Sequence, residues 1–200
     1  MNIDIFLASA SPRRKTLLER IGVRFEVITQ VIDEQPSADE APEVFAIRLA
    51  LEKARAGCAA RPAGAQAPVL GADTVVVVDD ELMGKPKDEA EALHMLMKLS
   101  GRSHRVLTGV ALVNAEKEST RLSISHVQFR PITAAEAARY WGTGEPLGKA
   151  GGYAVQGLGG VFVEQLEGSY TGVMGLPLFE THDLLTEFGI DYQSHWPAVS

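Results

Sequence analysis

The sequence predicts an α/β protein in which a mixed, twisted sheet is flanked by helices. Three observations carry this reading. Short apolar, β-prone runs alternate with segments of helical periodicity through the first half of the chain, the pattern of strands joined by helices. Two strand-like runs then follow one another directly in the middle, which mixes the sheet. The chain has 200 residues, 46% of them hydrophobic, enough for one well-buried core. One folding unit over residues 1–200 is expected, with room for two lobes around a deep cleft.

The elements follow in order. Ile3, Ile5, Phe6 and Leu7 make a short buried strand. Ser11 suits a helix N-cap and Pro12 the first helical position, where no backbone N–H bond is lost, so a helix runs from there to about Ile21-Gly22. Phe25 to Val31 reads as a strand, apolar Phe25, Val27 and Val31 alternating with Glu26 and Gln30. An acidic, proline-containing loop covers 33–43. Pro42-Glu43 open a long helix whose Val44, Ile47, Leu51, Ala54 and Cys58 form the expected buried stripe, with Lys53 and Arg55 off it. Val69 to Val78 is a β-prone run interrupted by Asp73 and Thr74, and Asp79-Asp80-Glu81 is a hairpin turn.

A helix over Lys87 to Leu99 stops at Gly101. Met83, Met95 and Met97 read as core filler. Strands His104 to Asn114 and Leu122 to Phe129 follow, the second with a slip at His126 that suits a bulge. Thr133-Ala134-Ala135-Glu136 is a capping box opening a helix to Tyr140 or Trp141. A glycine-rich stretch, 148–160, leads to a strand from Val161 to Leu166 and a flexible loop over 167–176. Pro177 to Phe188 is the last helix, stopped by Gly189, and the tail after Ile190 is expected to pack loosely.

Composition narrows the function. The net charge of −7 argues against broad nucleic-acid binding, which needs a basic face to displace counterions. No apolar run approaches the roughly 20 residues of a membrane-spanning helix. The N-terminus lacks a basic segment followed by an apolar stretch and a cleavage site, and Cys58 is the only cysteine, so a cytoplasmic protein is expected. Cys58 reads as a small buried hydrophobe. The five histidines have no ligand-like spacing, so they indicate no zinc site and read as structural.

Local basicity then needs a local purpose. Ala8-Ser9-Ala10-Ser11-Pro12-Arg13-Arg14-Lys15 packs hydroxyls and cations at the start of a helix. Free N–H groups and the positive dipole end face that loop, and Arg13 and Arg14 can grip phosphate oxygens in pairs. A solvated helix start reads equally well from this motif alone. Asp73, a carboxylate inside a β-rich run, needs partners or a chemical role. It either accepts a proton from water or caps a strand end.

Lys85 follows the hairpin return from Asp73, and Lys53 can reach the same region from its helix. Either lysine alone is more often a surface cation; with Arg13 and Arg14 they can hold a triphosphate. Glu34 can orient a divalent ion or remain a solvated loop acid. The block Gly148 to Gly157 has no dinucleotide fingerprint or Walker spacing, yet its glycines suggest backbone close to a ligand. Gln156 within it both donates and accepts, as reading a base edge requires.

Ala8-Ser9-Ala10-Ser11-Pro12-Arg13-Arg14, Gly71-Ala72-Asp73-Thr74, Gly84-Lys85-Pro86, Leu99-Ser100-Gly101, Thr108-Gly109-Val110, Tyr153 through Gln156-Gly157 and Gly175-Leu176-Pro177-Leu178 together resemble the Maf family of nucleoside triphosphate pyrophosphatases, in order over nearly the whole chain. The resemblance implies a Maf/ITPase-like fold with a deep cleft, a homodimer, a divalent cation (Mg2+ or Mn2+) and release of pyrophosphate. It implies Asp73 as proton acceptor, with Ser9, Arg13, Arg14, Glu34, Lys53 and Lys85 around phosphate and metal. Arg13, Thr74 and Gln156 match the branch acting on dTTP and UTP, where the branch acting on 7-methyl-GTP carries an aromatic, glutamine and glutamate. Gly148 departs from the aspartate that often precedes the lysine in this branch. Removal of modified pyrimidine nucleotides is a further role the resemblance suggests. The alternative class is a non-catalytic nucleotide-binding regulator of septum formation.

Overall fold

The structure is a computed structural model that describes residues 3–37 and 39–197. In chain order the elements are β1 (Ile5–Leu7), α1 (Pro12–Arg20), β2 (Phe25–Val27), α2 (Pro42–Ala59), β3 (Val69–Val78), β4 (Glu81–Met83), α3 (Glu89–Leu99), β5 (Ser103–Val113), β6 (Glu118–Phe129), α4 (Ala134–Trp141), β7 (Val163–Glu167), α5 (Tyr170–Met174) and α6 (Leu178–Glu187). The strands hydrogen-bond in the order β2-β1-β3-β5-β6-β7, with β4 paired to β3. β1 is parallel to β2 and β3, whereas β3–β4 and β6–β7 are antiparallel, so the sheet is mixed as expected. Two compact units form: one comprises the described residues up to Asp73, Thr108–Leu122 and those from Gly175 onward, the other Thr74–Leu107 and Ser123–Met174.

The first unit is organised by the docking of α2 at β3 and β5. A Cβ at Gly71 would lie 2.2 Å from the Ala50 carbonyl oxygen, and one at Gly109 would lie 2.3 Å from that of Ala46. Backbone therefore meets backbone, and only glycine leaves room. The buried face of α2 consists of Phe45, Ala46, Leu49, Ala50, Lys53, Ala54 and Gly57. This corrects the expected stripe: Val44 is exposed, and Lys53 lies on the buried side. Small residues set the closest contact here, flanked by Phe45 and Leu49, and the face through Val44 turns outward.

Two other expectations in this unit change. β2 stops at Val27: Ile28 still donates its N–H to Leu7 O, but it is Ile28 that is buried, while Val27 and Val31 are exposed. The Gln30 amide instead donates to Ala8 O at 2.9 Å. The tail is held as far as Trp196 rather than loose. Tyr192 is buried with its hydroxyl 3.0 Å from His182 Nδ1, and the Trp196 indole donates to Ile21 O at 2.7 Å. The last three residues of the expected loose tail lie outside the described residues.

In the second unit, Asp79 and Asp80 both have positive φ (52° and 60°) and Val78 pairs with Glu81, the two-residue hairpin whose twist suits its strands. Asp88 caps α3 by accepting from Glu91 N–H, and the Thr133–Glu136 capping box of α4 is formed in both directions. The core gathers Val76, Leu96, Leu99, Val127, Phe129 and Phe162. Met83 and Met95 join it, but Met97 is exposed.

Along β6 the buried positions are Ser123, Ser125, Val127 and Phe129. His126 is therefore in register on the outward face with Ile124, and the irregularity against β7 falls between Gln128 and Phe129. The expected loop 167–176 contains α5, started by the Ser169 hydroxyl, which accepts from Gly172 N–H at 2.9 Å.

Candidate active site

Lys53, Asp73 and Glu34 of the first unit meet on the buried face of α2. Lys53 and Asp73 are 7% and 8% exposed, and Lys53 Nζ donates to Asp73 Oδ1 at 2.6 Å. The same ammonium is 2.7 Å from Oε1 of Glu34, which comes from the acidic loop and is more open to solvent. Burying either charge alone costs several kcal/mol, roughly, so the valine-rich strand tolerates Asp73 because α2 delivers a cation to it. One lysine thus joins two carboxylates.

The Ser9–Arg14 loop lies within reach of this group's field. Arg14 donates from Nε to Gly175 O at 2.7 Å and from Nη1 to Ser9 Oγ at 3.0 Å, and Ser9 Oγ also accepts from Ser11 N–H at 3.3 Å. Ser11 holds the N-cap position, but its side chain makes no capping bond. Burial pulls the Arg14 guanidinium down from its ordinary range, the negative charges of Asp73 and Glu34 push it back up, and Arg13 beside it pulls it down further. Arg13 is likewise lowered by burial. Two desolvated guanidinium groups at a helix start form a strong attraction for a polyanion.

Thr74, Lys85 and Gln156 belong to the second unit. β4 pairs with β3 from Val78 opposite Glu81 to Val76 opposite Met83; Thr74 stands two residues before Val76 and Lys85 two residues past Met83. The paired part of the hairpin ends at Val76 and Met83, so Thr74 and Lys85 both lie just outside it. The glycine-rich block folds against the same hairpin: Gly151 N–H donates to Gly84 O at 3.0 Å, and a Cβ at Gly151 would lie 3.0 Å from Val76 Cγ2. Packing against Val76 accounts for glycine at 151, whereas a Cβ at Gly148 would meet nothing within 4 Å. Gly157 faces Glu145, whose Oε2 would sit 2.2 Å from an added Cβ. Gln156 is exposed, and its side chain makes no hydrogen bond to the described residues.

Sequence reasoning missed the Gly175 carbonyl, Glu145 and Tyr140. The first is a backbone atom brought in by the fold, and the other two carry no local signal. His104 is a buried structural histidine as expected but only half satisfied: Nε2 is 2.8 Å from the Tyr153 hydroxyl, while Nδ1 has no partner. Burial lowers its pKa to about 4. Burial raises the Cys58 thiol, which fits an inert side chain.

Among the described residues no group of three or more His, Cys, Asp or Glu side chains could hold a metal. Asp73 and Glu34 converge on the Lys53 ammonium, and each carries a second carboxylate oxygen, a hard donor of the kind Mg2+ takes beside substrate phosphates.

Fold and site together define an α/β protein with a buried acid–lysine group beside an arginine-lined anion loop, a class suited to phosphate chemistry. Residues 4–188 match the Maf-like protein family, and the chain belongs to it. It is 60% identical over 195 residues to the dTTP/UTP pyrophosphatase of Alkalilimnicola ehrlichii, covering 96% of both chains. It is 50% identical to the dTTP/UTP pyrophosphatase of Saccharophagus degradans, over 94% of this chain and 90% of the other. Identity to that of Escherichia coli O157:H7 is 48%, over 92% and 93%. Among solved structures it is similar to the Staphylococcus aureus Ham1 protein, at 16% identity and a TM-score of 0.46 over 92% of this chain and 96% of that one. Among the described residues no helix is long and apolar enough to cross a membrane.

Proposed function

We propose that this chain is a hydrolase of acid anhydrides that converts dTTP and UTP to dTMP or UMP and pyrophosphate. The observation that carries the reading is the Lys53–Asp73–Glu34 group beside the Ser9–Arg14 loop. Arg13 and Arg14 bind the triphosphate. Asp73 accepts a proton from the attacking water as the new P–O bond forms. The bridge between the α- and β-phosphorus breaks, and its electron pair leaves with pyrophosphate. Lys53 holds Asp73 in place and, with Lys85, offsets charge on the leaving group.

Asp73 and Glu34 would hold a divalent ion, Mg2+ or Mn2+. When bound, that ion neutralises charge on the phosphates.

Thr74 and Gln156 carry base selection in this reading. Uracil and thymine show acceptors O2 and O4 around an N3–H donor, and an amide pairs with such an edge, whereas guanine shows adjacent donors that suit a carboxylate. The protein acts in the cytoplasm as a homodimer, and normal or modified pyrimidine nucleotides are its substrates. The test is pyrophosphate release from dTTP, UTP, CTP, GTP and 7-methyl-GTP with and without Mg2+ or Mn2+, with orthophosphate followed in parallel. Metal-dependent pyrophosphate from dTTP and UTP supports the reading; orthophosphate, or turnover of 7-methyl-GTP instead, rejects it.

A further inference from the structure

The turn that carries Gln156 is held at both ends by one pair of side chains. Ahead of Gln156, Ala154 N–H donates to the Tyr140 hydroxyl oxygen at 3.1 Å. Behind it, Leu158 N–H and Gly159 N–H donate to the two oxygens of Glu145 at 3.0 and 2.9 Å. Tyr140 closes the arrangement by donating its hydroxyl proton to Glu145 Oε1 at 2.7 Å. Glycine at 157 and 159 is what admits these groups, since an added Cβ would come within 2.2 Å of Glu145 Oε2 or 2.5 Å of the Tyr140 hydroxyl.

Both members of the pair are themselves fixed. Tyr140 is buried in α4, edge-on to Phe162 at 5.1 Å, and Glu145 N–H donates to Thr143 Oγ1 at 3.2 Å. Burial pushes the Glu145 carboxyl up, but the Gly159 N–H, the Tyr140 hydroxyl and the Leu158 N–H outweigh it and hold the group below its usual range. Burial, with the Glu145 carboxylate, raises the tyrosine. The shifts favour the arrangement in which the Glu145 carboxylate accepts from the Tyr140 hydroxyl. Three backbone N–H groups around the turn are held while Gln156 between them is exposed, which is the arrangement a base reader requires.

We propose that Tyr140 and Glu145 are positioning residues for nucleobase discrimination, their hydroxyl–carboxylate pair fixing the turn that presents Gln156 to the pyrimidine. The inference rests on the reading of Gln156 given under the proposed function. Glu145→Gln cannot preserve the pair. A side-chain NH2 at either oxygen position faces a backbone N–H, of Leu158 or Gly159, and one of those bonds is lost. Tyr140→Phe removes both the acceptor for Ala154 N–H and the donor to Glu145, yet keeps the aromatic packing.

The experiment measures kcat/KM for UTP and GTP, and the inhibition constant of inorganic triphosphate, which has no base, for the full chain and its Tyr140→Phe, Glu145→Gln and Gln156→Ala variants. Tyr140→Phe and Glu145→Gln are expected to reduce the UTP-over-GTP preference about tenfold, through KM for UTP, while triphosphate inhibition is unchanged. Adding Tyr140→Phe to Gln156→Ala should change the preference no further. If Gln156→Ala abolishes the preference but neither other variant alters it, the positioning role is wrong and the base-reading role stands. If Gln156→Ala leaves the preference intact, base reading by Gln156 fails and takes this inference with it. An equal loss for UTP, GTP and triphosphate assigns Tyr140 and Glu145 a purely structural role, and overturns the proposal.

Discussion

Asp73 is a carboxylate among valines, and its position is tolerable because Lys53 Nζ lies 2.6 Å from Oδ1. Asp73→Asn keeps an acceptor oxygen for that lysine, so the fold and nucleotide binding should persist while the proton acceptor is lost. Turnover of UTP is expected to fall by about 100-fold or more, with binding of a non-hydrolysable analogue, measured without a divalent ion, unchanged. Near-normal turnover would remove Asp73 from the reaction. At Gln156, the exchange Gln156→Glu replaces a donor with an acceptor while keeping size. Pyrimidine kcat/KM should drop about tenfold or more, because the base edge meets an unpaired acceptor. Unchanged selectivity among the nucleotides would take Gln156 out of base reading. Both residues were legible as types in the sequence. The lysine partner of Asp73 was legible as a candidate, but not as a buried one.

At the scale of elements, the contact between α2 and the strands decides where Lys53 goes. Ala46, Ala50 and Ala54 recur every fourth residue, and Gly71 and Gly109 face the first two of them. Such a contact has no slack, since the missing Cβ atoms would fall 2.2–2.3 Å from carbonyl oxygens. Gly71→Ala must lift the helix or bend the strand, a strain of about 3 kcal/mol. Urea unfolding should show the lower midpoint, and turnover should fall with it because the Lys53–Asp73 pair is displaced. Full activity with unchanged stability would mean that the close approach is not what seats α2. The sequence holds the signal for this face in the alanine stripe beside Phe45 and Leu49; a periodicity taken through Val44, Ile47 and Leu51 reads past it, and Val44 is the exposed result.

At the scale of the whole molecule, stability should carry the mark of a neutral histidine sealed in a core. His104 is 2% exposed between Phe129 and Tyr153, and its pKa is lowered to about 4 from the ordinary 6.5. Between those values the unfolded chain binds the proton and the folded one does not. The contribution is therefore complete above about pH 6.5 and is lost as pH falls toward about 4, by up to about 3 kcal/mol. Glu136 and Glu187, lowered to about 2 by Arg130 and Lys117 respectively among other donors, lose their contributions only as pH falls below the usual glutamate range. The interval from pH 6.5 to 4.5 thus isolates the histidine. Melting temperature followed across it should decline in the native chain and stay flatter in His104→Gln, which keeps a partner for the Tyr153 hydroxyl. Parallel curves would assign the acid sensitivity to other groups.

What the sequence by itself determined is everything whose cause lies within a few residues. Pro12 and Pro42 start helices, Thr133 and Glu136 close a cap, Asp79 and Asp80 turn a hairpin, and Val69–Val78 forms one strand because β-branched side chains leave few other conformations. The tertiary structure alone decided which face of α2 is buried, where β2 ends, that Tyr192 and Trp196 pin the tail, and that Tyr140 and Glu145 bracket Gln156. Those outcomes depend on groups distant in the chain approaching within hydrogen-bond or van der Waals distance. A local preference of the backbone carries no record of such a partner.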